Sequence, residues 1–209
     1  MIFYDCSTAP NPRRARMFIA EKGIDIETRE ISIAKGEQLS EAFHAINPGG
    51  TLPVLITDQG STLTENLGIA AFLEARFPEP PLLGRSPDEK GRVLMWNSIA
   101  EQQLAVPVAE TLRNSHSAFV NRATPGPVDI AQIPELAQRG LQRVSAYFDQ
   151  IESHLKDTAF VAGPEFSLAD ITTFVFMDFA RVIKARIPPK NTATQAWFDK
   201  ISQRPSAHV

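Results

Sequence analysis

The chain has 209 residues, of which 43% are hydrophobic and 22% charged, an ordinary composition for a globular protein of one or two domains. Its net charge of −3 argues against nucleic acid as a partner, because phosphate binding requires a basic surface. The sequence has no long apolar run, no signal-like N-terminus and no second cysteine beside Cys6, so we expect a cytoplasmic protein without membrane spans or disulfides.

The first 80 residues change their hydrophobic period in short stretches, which predicts a small mixed α/β domain. In chain order the predicted elements are a strand at 2–4, a helix at 12–22 closed by Gly23, a half-buried strand at 24–31, a short helix at 38–45, a hairpin of 54–56 with 61–63, and a helix at 65–77. We expect Asn11 to cap the first helix, because asparagine followed by Pro12 is typical of a helix start.

Pro53 stands at the entrance of the predicted strand 54–56, where a proline cannot donate a hydrogen bond to a sheet. Two interpretations fit this position. A trans proline can open an edge strand, or a cis bond can turn the backbone of Leu52 outward, where a peptide-like ligand can pair with it as an extra strand. The residue alone does not decide between them.

A proline-rich linker at 81–89 precedes residues 90–209, which carry helical periodicity nearly throughout. The predicted features are a helix at 88–116 bent near Pro107, a loop at 121–134, a helix with its apolar face at Leu141, Val144, Phe148, Ile151 and Leu155, and a core helix after Ser167 lined by Ile171, Phe174, Val175, Phe179, Val182 and Ile183. Ser167 and Asp170 have the spacing of a capping box, so we interpret Asp170 as structural.

Several motifs occur in one order along the chain: residues 9–16 (APNPRRAR), 21–24 (EKGI), 47–55 (NPGGTLPVL), 63–66 (LTEN), 72–74 (FLE) and 166–170 (FSLAD). Together they resemble the cytosolic glutathione transferases of bacteria, of the serine type similar to the theta and nu classes. The resemblance implies a thioredoxin-like α/β domain at 1–80, the linker at 81–89 and an all-α domain at 90–209. It also implies a cis Pro53, glutathione as co-substrate and a homodimer. The four histidines lack the spacing of metal ligands, so we expect no metal.

The resemblance implies glutathione-binding roles for Gln38, Thr51, Leu52, Pro53, Glu65 and Asn66. The Leu52 backbone suits the cysteinyl amide groups, Glu65 suits the γ-glutamyl ammonium, and Asn66 with the helix N–H groups suits the γ-glutamyl carboxylate. Asn66 replaces the serine of most relatives. Glu65 and Asn66 are equally explained as an ordinary helix start capped by Thr64. Gln38 corresponds to a segment that contacts the glycyl end in relatives, or it is a solvent-facing helix residue.

The residue that activates the thiol departs from the family pattern, because Ala9 stands where serine-type relatives carry serine. The resemblance therefore leaves Ser7, Thr8 and Asn11 as candidate catalytic residues. Each can donate a hydrogen bond that lowers the pKa of a thiol from its ordinary value of about 8.5. We interpret Cys6 as a buried structural thiol.

For the electrophile, the resemblance implies a pocket lined by Trp96, Glu101, Leu104, Arg113, Asn114, His116, Phe179 and Arg181. Core packing explains the aromatic residues equally well, and solvation explains the charged ones. The leading hypothesis is an enzyme that transfers glutathione to an electrophilic small molecule. The alternatives are a glutathione-dependent reductase of disulfides or hydroperoxides, and a non-catalytic protein that binds glutathione or another ligand.

Overall fold

The computed structural model describes the whole chain, residues 1–209, which divides into two compact units. The first unit contains Met1–Pro80, Pro125–Val128 and Val209, and the second contains Pro81–Thr124 and Asp129–His208. None of the helices combines the length and the apolar character that a membrane crossing requires.

The first unit is a mixed sheet with helices, as the changing hydrophobic period predicts. Its elements are β1 (Ile2–Asp5), α1 (Pro10–Glu21), β2 (Glu27–Glu30), a 3-10 turn (Glu37–Leu39), α2 (Glu41–His44), β3 (Val54–Ile56), β4 (Thr62–Thr64) and α3 (Asn66–Arg76). The strands are ordered β2-β1-β3-β4. β1 is parallel to β2 and antiparallel to β3, and β3 is antiparallel to β4. The hairpin is thus confirmed, with its second strand one residue later than predicted.

Strand direction decides which chain segments share an edge of this sheet. β1, β2 and β4 all end at the same end of the sheet, where β3 begins. We call this row of strand ends the convergent edge, to distinguish it from the outer strands. The buried side chains of Phe3, Tyr4, Val54 and Leu55 hold the two central strands in the core. The segments that follow β1, precede β3 and follow β4 therefore converge.

Two helix starts in this unit differ from the prediction. α1 begins at Pro10, because proline fits the first helical position, and Ala9 rather than Asn11 occupies the cap position. The expectation that Asn11 caps this helix is therefore wrong. α3 is preceded by Glu65, so Thr64 is not its cap either.

The predicted strand at 24–31 is shorter than expected. β2 contains only Glu27–Glu30, and all four of its residues are exposed. It lies at the outer edge of the sheet, where only β1 pairs with it. The charged residues of this strand suit an edge, since they oppose pairing with a further chain.

The second unit is all helical. Its helices are α4 (Pro87–Ala100), α5 (Val106–Ser115), α6 (Pro134–Leu155), α7 (Leu168–Phe179) and α8 (Thr192–Ser202). A π-helical turn at Glu101–Ala105 joins α4 to α5. The irregularity predicted near Pro107 thus lies just before it, where the wider turn accommodates a residue that cannot donate to the preceding turn.

α7 is the core helix that the sequence predicts, since all residues from Leu168 to Met177 are buried. Asp170 accepts hydrogen bonds from the N–H of Ser167 and from its hydroxyl, each at 3.0 Å, which confirms its structural role. Two predicted core residues are exposed instead, Leu141 at 44% and Val182 at 42%. Val182 lies beyond the end of α7, in a 3-10 turn where the helical spacing no longer applies.

Candidate functional site

The convergent edge of the sheet gathers most of the predicted glutathione-binding and catalytic residues. Tyr4 of β1 lies opposite Val54, and Val54 lies opposite Thr64. The turn after β1, Leu52 before β3 and Glu65 after β4 are each within a few residues of this row. The structure therefore brings these three segments together within the first unit.

The backbone of Leu52 is unpaired at this edge. The peptide bond between Leu52 and Pro53 is cis, as the resemblance implies. Continuing the register of β1 with β3 places Asp5 opposite Pro53, whose nitrogen carries no hydrogen, so the ladder stops at Val54. The N–H and C=O of Leu52 make no hydrogen bond within the chain. They remain available to a peptide-like partner.

The loop before Leu52 is held by the side chain of Asn47. Its Nδ2 donates to the carbonyl oxygen of Thr51 at 2.9 Å and to the Thr51 hydroxyl at 3.2 Å. Its Oδ1 accepts from the N–H of Gly49 at 3.0 Å. Thr51 is thus engaged by the protein itself, and Asn47 fixes the path of the chain into Leu52.

The N-terminus of α3 presents unpaired donors at the same edge. The first intrahelical bond runs from the Ile69 N–H to the Glu65 carbonyl, at 3.1 Å, so the N–H groups of residues 66–68 have no partner in the helix. Glu65 is exposed and has a φ of 60°, an unusual conformation for a residue other than glycine. Asn66 is only 6% exposed, and its Oδ1 has no partner. Such a helix start attracts a carboxylate.

Gln38 lies in the 3-10 turn that follows β2. It is 4% exposed, so the interpretation as a solvent-facing residue is wrong. Its Oε1 is buried and has no hydrogen-bond partner. The segment is anchored by other groups, since the Ser32 N–H donates to Oε2 of Glu37 at 2.7 Å.

The start of α1 offers few hydrogen-bond donors. Pro10 and Pro12 have no N–H, and the N–H of Arg13 donates to the carbonyl of Ala9 at 3.2 Å. The N–H of Asn11 is therefore the one left without a partner in this turn. Asn11 is exposed, and its Oδ1 accepts from Arg14 at 3.4 Å, which leaves its Nδ2 as a second donor.

The two hydroxyl candidates differ in availability. The Ser7 hydroxyl donates to Oε1 of Glu30 at 3.0 Å, and the Ser7 N–H donates to the same atom at 2.9 Å. Thr8 is an exposed residue, and its hydroxyl makes one weak hydrogen bond, with Sγ of Cys6 at 3.5 Å. Cys6 is buried, as expected. The sequence gives no signal for the role of Glu30, because Ser7 and Glu30 belong to segments that only the sheet pairs.

Three of the residues predicted to bind the electrophile share one network in the second unit. Arg113 donates to the carbonyls of Arg122 at 2.7 Å and Thr124 at 2.9 Å. Asn114 accepts from the N–H of Ile133 at 2.9 Å. Nδ1 of His116 accepts from the N–H of Ala118 at 3.1 Å. Arg113 and Asn114 thus hold the chain that follows α5, while His116 keeps an exposed imidazole edge.

The remaining electrophile candidates lie elsewhere in the second unit. Trp96 stacks on His154, with ring centroids 4.0 Å apart, and Phe179 contacts Phe176 edge to face. Leu104 is fully buried, and Arg181 pairs with Asp178 at 2.7 Å. These contacts lie outside the hydrogen bonds that Arg113, Asn114 and His116 make.

Comparisons with known proteins agree with this architecture. The N-terminal domain model of glutathione S-transferases matches residues 8–76, and the corresponding C-terminal domain model matches residues 110–205. Glutathione S-transferase 2 of Saccharomyces cerevisiae is 36% identical over 214 residues, covering 99% of this chain and 87% of that protein.

Solved structures agree with the same assignment. The crystal structure of Gtt2 from Saccharomyces cerevisiae has a TM-score of 0.90 at 33% identity, covering 100% of this chain and 99% of that one. A glutathione S-transferase domain-containing protein from Marinobacter aquaeolei has a TM-score of 0.88 at 30% identity, with 99% of both chains covered. The thioredoxin-like domain and the helical domain are both confirmed. The chain belongs to the glutathione S-transferase family.

Proposed function

We propose that this protein binds glutathione as a thiolate and conjugates it to an electrophilic small molecule. The observation that carries the proposal is the set of unpaired polar groups at one sheet edge. The Leu52 backbone fits the cysteinyl amide groups, and the start of α3 with Asn66 fits the γ-glutamyl end. The buried Oε1 of Gln38 offers an acceptor that suits the glycyl N–H, not the glycyl carboxylate.

The chemistry requires a thiolate. The thiol gives its proton to solvent, the sulfur attacks the electrophilic carbon to form a C–S bond, and the leaving group departs with the electron pair of its former bond. The chain favours the charged sulfur with donors at the start of α1. We assign this role to the N–H and Nδ2 of Asn11 and to the hydroxyl of Thr8, since the Ser7 hydroxyl is engaged by Glu30.

Two measurements on the purified protein test the proposal. Calorimetric titration with glutathione tests binding, and the ultraviolet absorbance of the thiolate as a function of pH gives the pKa of the bound thiol. We expect a pKa below the ordinary value of about 8.5. A bound thiol with an ordinary pKa, or no binding, contradicts the proposal and favours a non-catalytic ligand-binding protein.

Separate Asn11→Ala and Thr8→Ala variants identify the donor. We expect each to raise the pKa of the bound thiol, because each removes a hydrogen bond to the charged form. Ser7→Ala is the matched control, since its hydroxyl bonds Glu30. If Ser7→Ala alone raises the pKa, the assignment of the donors is wrong.

A second function is favoured by Asn11 standing beside Ala9, where an amide takes the place of a hydroxyl. In a glutathione-dependent reductase, the thiolate attacks one sulfur of a disulfide and expels the other as a thiolate. The thiolate of a second glutathione then attacks the glutathione sulfur of this mixed disulfide, which forms oxidised glutathione and expels the remaining substrate sulfur as a thiolate. Turnover of a chlorinated aromatic acceptor, compared with a disulfide and a hydroperoxide, separates the two functions. Activity with the last two alone favours the reductase.

The remaining family expectations belong to this proposal. We infer a homodimer that acts in the cytoplasm, with electrophile contacts from the exposed edge of His116 and from Phe179. Arg113 and Asn114 support such a site indirectly, since they fix the chain around His116. Sedimentation of the purified protein tests the dimer.

A further inference from the structure

We propose that Arg16 is a positioning residue for thiol activation, a role that rests on the proposed function. It holds the turn between β1 and α1, which we call the thiol turn and define as residues 6–9. This turn carries Thr8 and leads directly into Asn11. Arg16 does not itself donate to the sulfur in this proposal.

The guanidinium of Arg16 contacts three consecutive residues. Its Nη1 donates to Oδ1 of Asp5 at 2.5 Å and to the carbonyl of Cys6 at 3.2 Å. Its Nη2 donates to the carbonyl of Ser7 at 3.1 Å. One planar side chain thus joins α1 to the end of β1 and to the thiol turn. Only a forked donor can make all three contacts at once.

The thiol turn is held from its other side as well. The N–H of Cys6 donates to Oδ1 of Asp5 at 2.7 Å, and the N–H of Ala9 donates to the Cys6 carbonyl at 3.0 Å. Ser7 is bound by Glu30 through both its N–H and its hydroxyl. These bonds use the polar groups of Cys6 and Ser7. Thr8 is left as the residue of the turn whose hydroxyl is held by neither Arg16 nor Glu30 and contacts only Sγ of Cys6, at 3.5 Å.

The charges around the turn give Arg16 a second effect. The Asp5 side chain is only 5% exposed and that of Arg16 only 15%. Burial raises the pKa of Asp5. The charge and hydrogen bond of Arg16 act to lower this pKa, and the negative charge of the neighbouring Glu30 acts to raise it. Two carboxylates near the start of α1 disfavour an anionic sulfur there. Arg16 offsets their charge, so its removal weakens thiolate binding through both geometry and charge.

The test compares Arg16→Lys with the unchanged protein. Lysine keeps the charge but cannot reach Asp5 and both carbonyls, so the turn loses its support. We expect the pKa of bound glutathione to rise by about one unit, with glutathione affinity changed by no more than about threefold, since Arg16 touches no predicted glutathione-binding group. Arg186→Lys is the matched control, because Arg186 is exposed in the second unit.

The outcomes separate this proposal from the proposed function. If the unchanged protein binds no glutathione or leaves its thiol pKa unshifted, the proposed function fails and the role of Arg16 falls with it. If the unchanged protein lowers the pKa and Arg16→Lys lowers it equally, only the role of Arg16 is overturned. The role of Arg16 is also overturned if Arg16→Lys lowers only the melting temperature and leaves the pKa of the bound thiol unchanged. The same holds if Arg186→Lys raises this pKa by an equal amount. Asp5→Asn provides a second variant and is expected to raise the pKa less, since it loosens Arg16 but removes a negative charge.

Discussion

In the first unit, Gln38 and Asn66 are almost fully buried, and each keeps an amide oxygen without a partner. In the second unit, Asp170 and Glu152 are equally buried, yet every one of their carboxylate oxygens is hydrogen-bonded. Burying an unpaired polar atom costs about 1 to 3 kcal/mol. Asp170 and Glu152 thus use their buried oxygens for the stability of the second unit, whereas the proposed function assigns the unpaired oxygens of Gln38 and Asn66 to a ligand.

The bonds of Asp170 connect three parts of the helical unit. Oδ1 accepts from the N–H of Val161 at 2.8 Å and from Nε1 of Trp197 at 3.0 Å. Oδ2 accepts from the N–H and the hydroxyl of Ser167. Glu152 of α6 accepts from the N–H and the hydroxyl of Thr194, each at 2.9 Å, and so anchors the first turn of α8.

The largest expected effect is that of Asp170→Ala. The change leaves several buried donors without an acceptor, so we expect the free energy of unfolding to fall by about 3 to 5 kcal/mol. Urea unfolding measures the loss. Glutathione affinity of the folded fraction should stay unchanged, and a selective loss of affinity without a loss of stability contradicts the contrast between the units.

The pH dependence of stability distinguishes the two carboxylates of the second unit. Burial raises the pKa of Asp170 to about 6 from an ordinary 3.8, so the unfolded chain releases this proton first as the pH rises. Stability contributed by this group therefore falls between about pH 4 and pH 6, by up to about 3 kcal/mol. Asp170→Asn should remove that slope in urea unfolding measured across this range.

Glu152 should behave in the opposite way. Burial acts to raise its pKa, but hydrogen bonds from Thr194 and Ala193 outweigh burial and lower the pKa below the ordinary 4.5. Its contribution is present above that value and is lost as the pH falls through the lowered pKa. Glu152→Gln should lose less stability on acidification than the unchanged protein. An unchanged acid slope rules out this account.

Gly140→Ala tests how tightly the second unit is packed. A Cβ at this position would lie 2.3 Å from the Thr111 hydroxyl and 2.7 Å from the carbonyl of Pro107, so α5 and α6 must separate. We expect a loss of about 1 to 3 kcal/mol in urea unfolding. Gly91→Ala is the matched control on α4, where a Cβ meets nothing within 4 Å, and it should stabilise by up to about 1 kcal/mol.

The last comparison concerns two buried asparagines, one in each unit. Asn191 donates to the carbonyl of Phe148 at 2.7 Å, so Asn191→Ala should lower stability by about 1 to 3 kcal/mol and leave glutathione affinity unchanged. Asn66→Ala should weaken glutathione binding by up to about tenfold and leave stability nearly unchanged. Calorimetry and urea unfolding of both variants measure this. A loss of glutathione affinity in Asn191→Ala, together with a loss of stability in Asn66→Ala, would contradict the different roles of the two asparagines.

Local sequence patterns predicted the features that depend on neighbouring residues. The hairpin and the structural role of Asp170 each follow from a few adjacent positions, and both are confirmed. The cis bond at Pro53 is confirmed too, but only the family resemblance implied it. The start of α1 was misplaced because Pro10 and Pro12 both suit the first turn of a helix. Only the surrounding contacts choose between them, and they make Ala9 the cap.

Features that depend on contacts between distant residues could not be predicted from the sequence. The periodicity of α6 includes Leu141 in its apolar face, yet the structure exposes it, because helical spacing does not show how wide the covered face is. In the same way, Arg16 appears in the sequence as one member of a basic run. Its distinct role emerges only when α1 folds back along β1 and brings it to Asp5.

The paired prolines at the start of α1 have a consequence for spectroscopy. Proline contributes no amide proton, so Pro10 and Pro12 leave the amide of Asn11 isolated between two gaps in a nuclear magnetic resonance backbone assignment. This one signal originates from the N–H group that faces out of the helix without an intrahelical partner. Its chemical shift is a single-site reporter of whatever anion occupies the helix start, and it can be followed without any substitution in the chain.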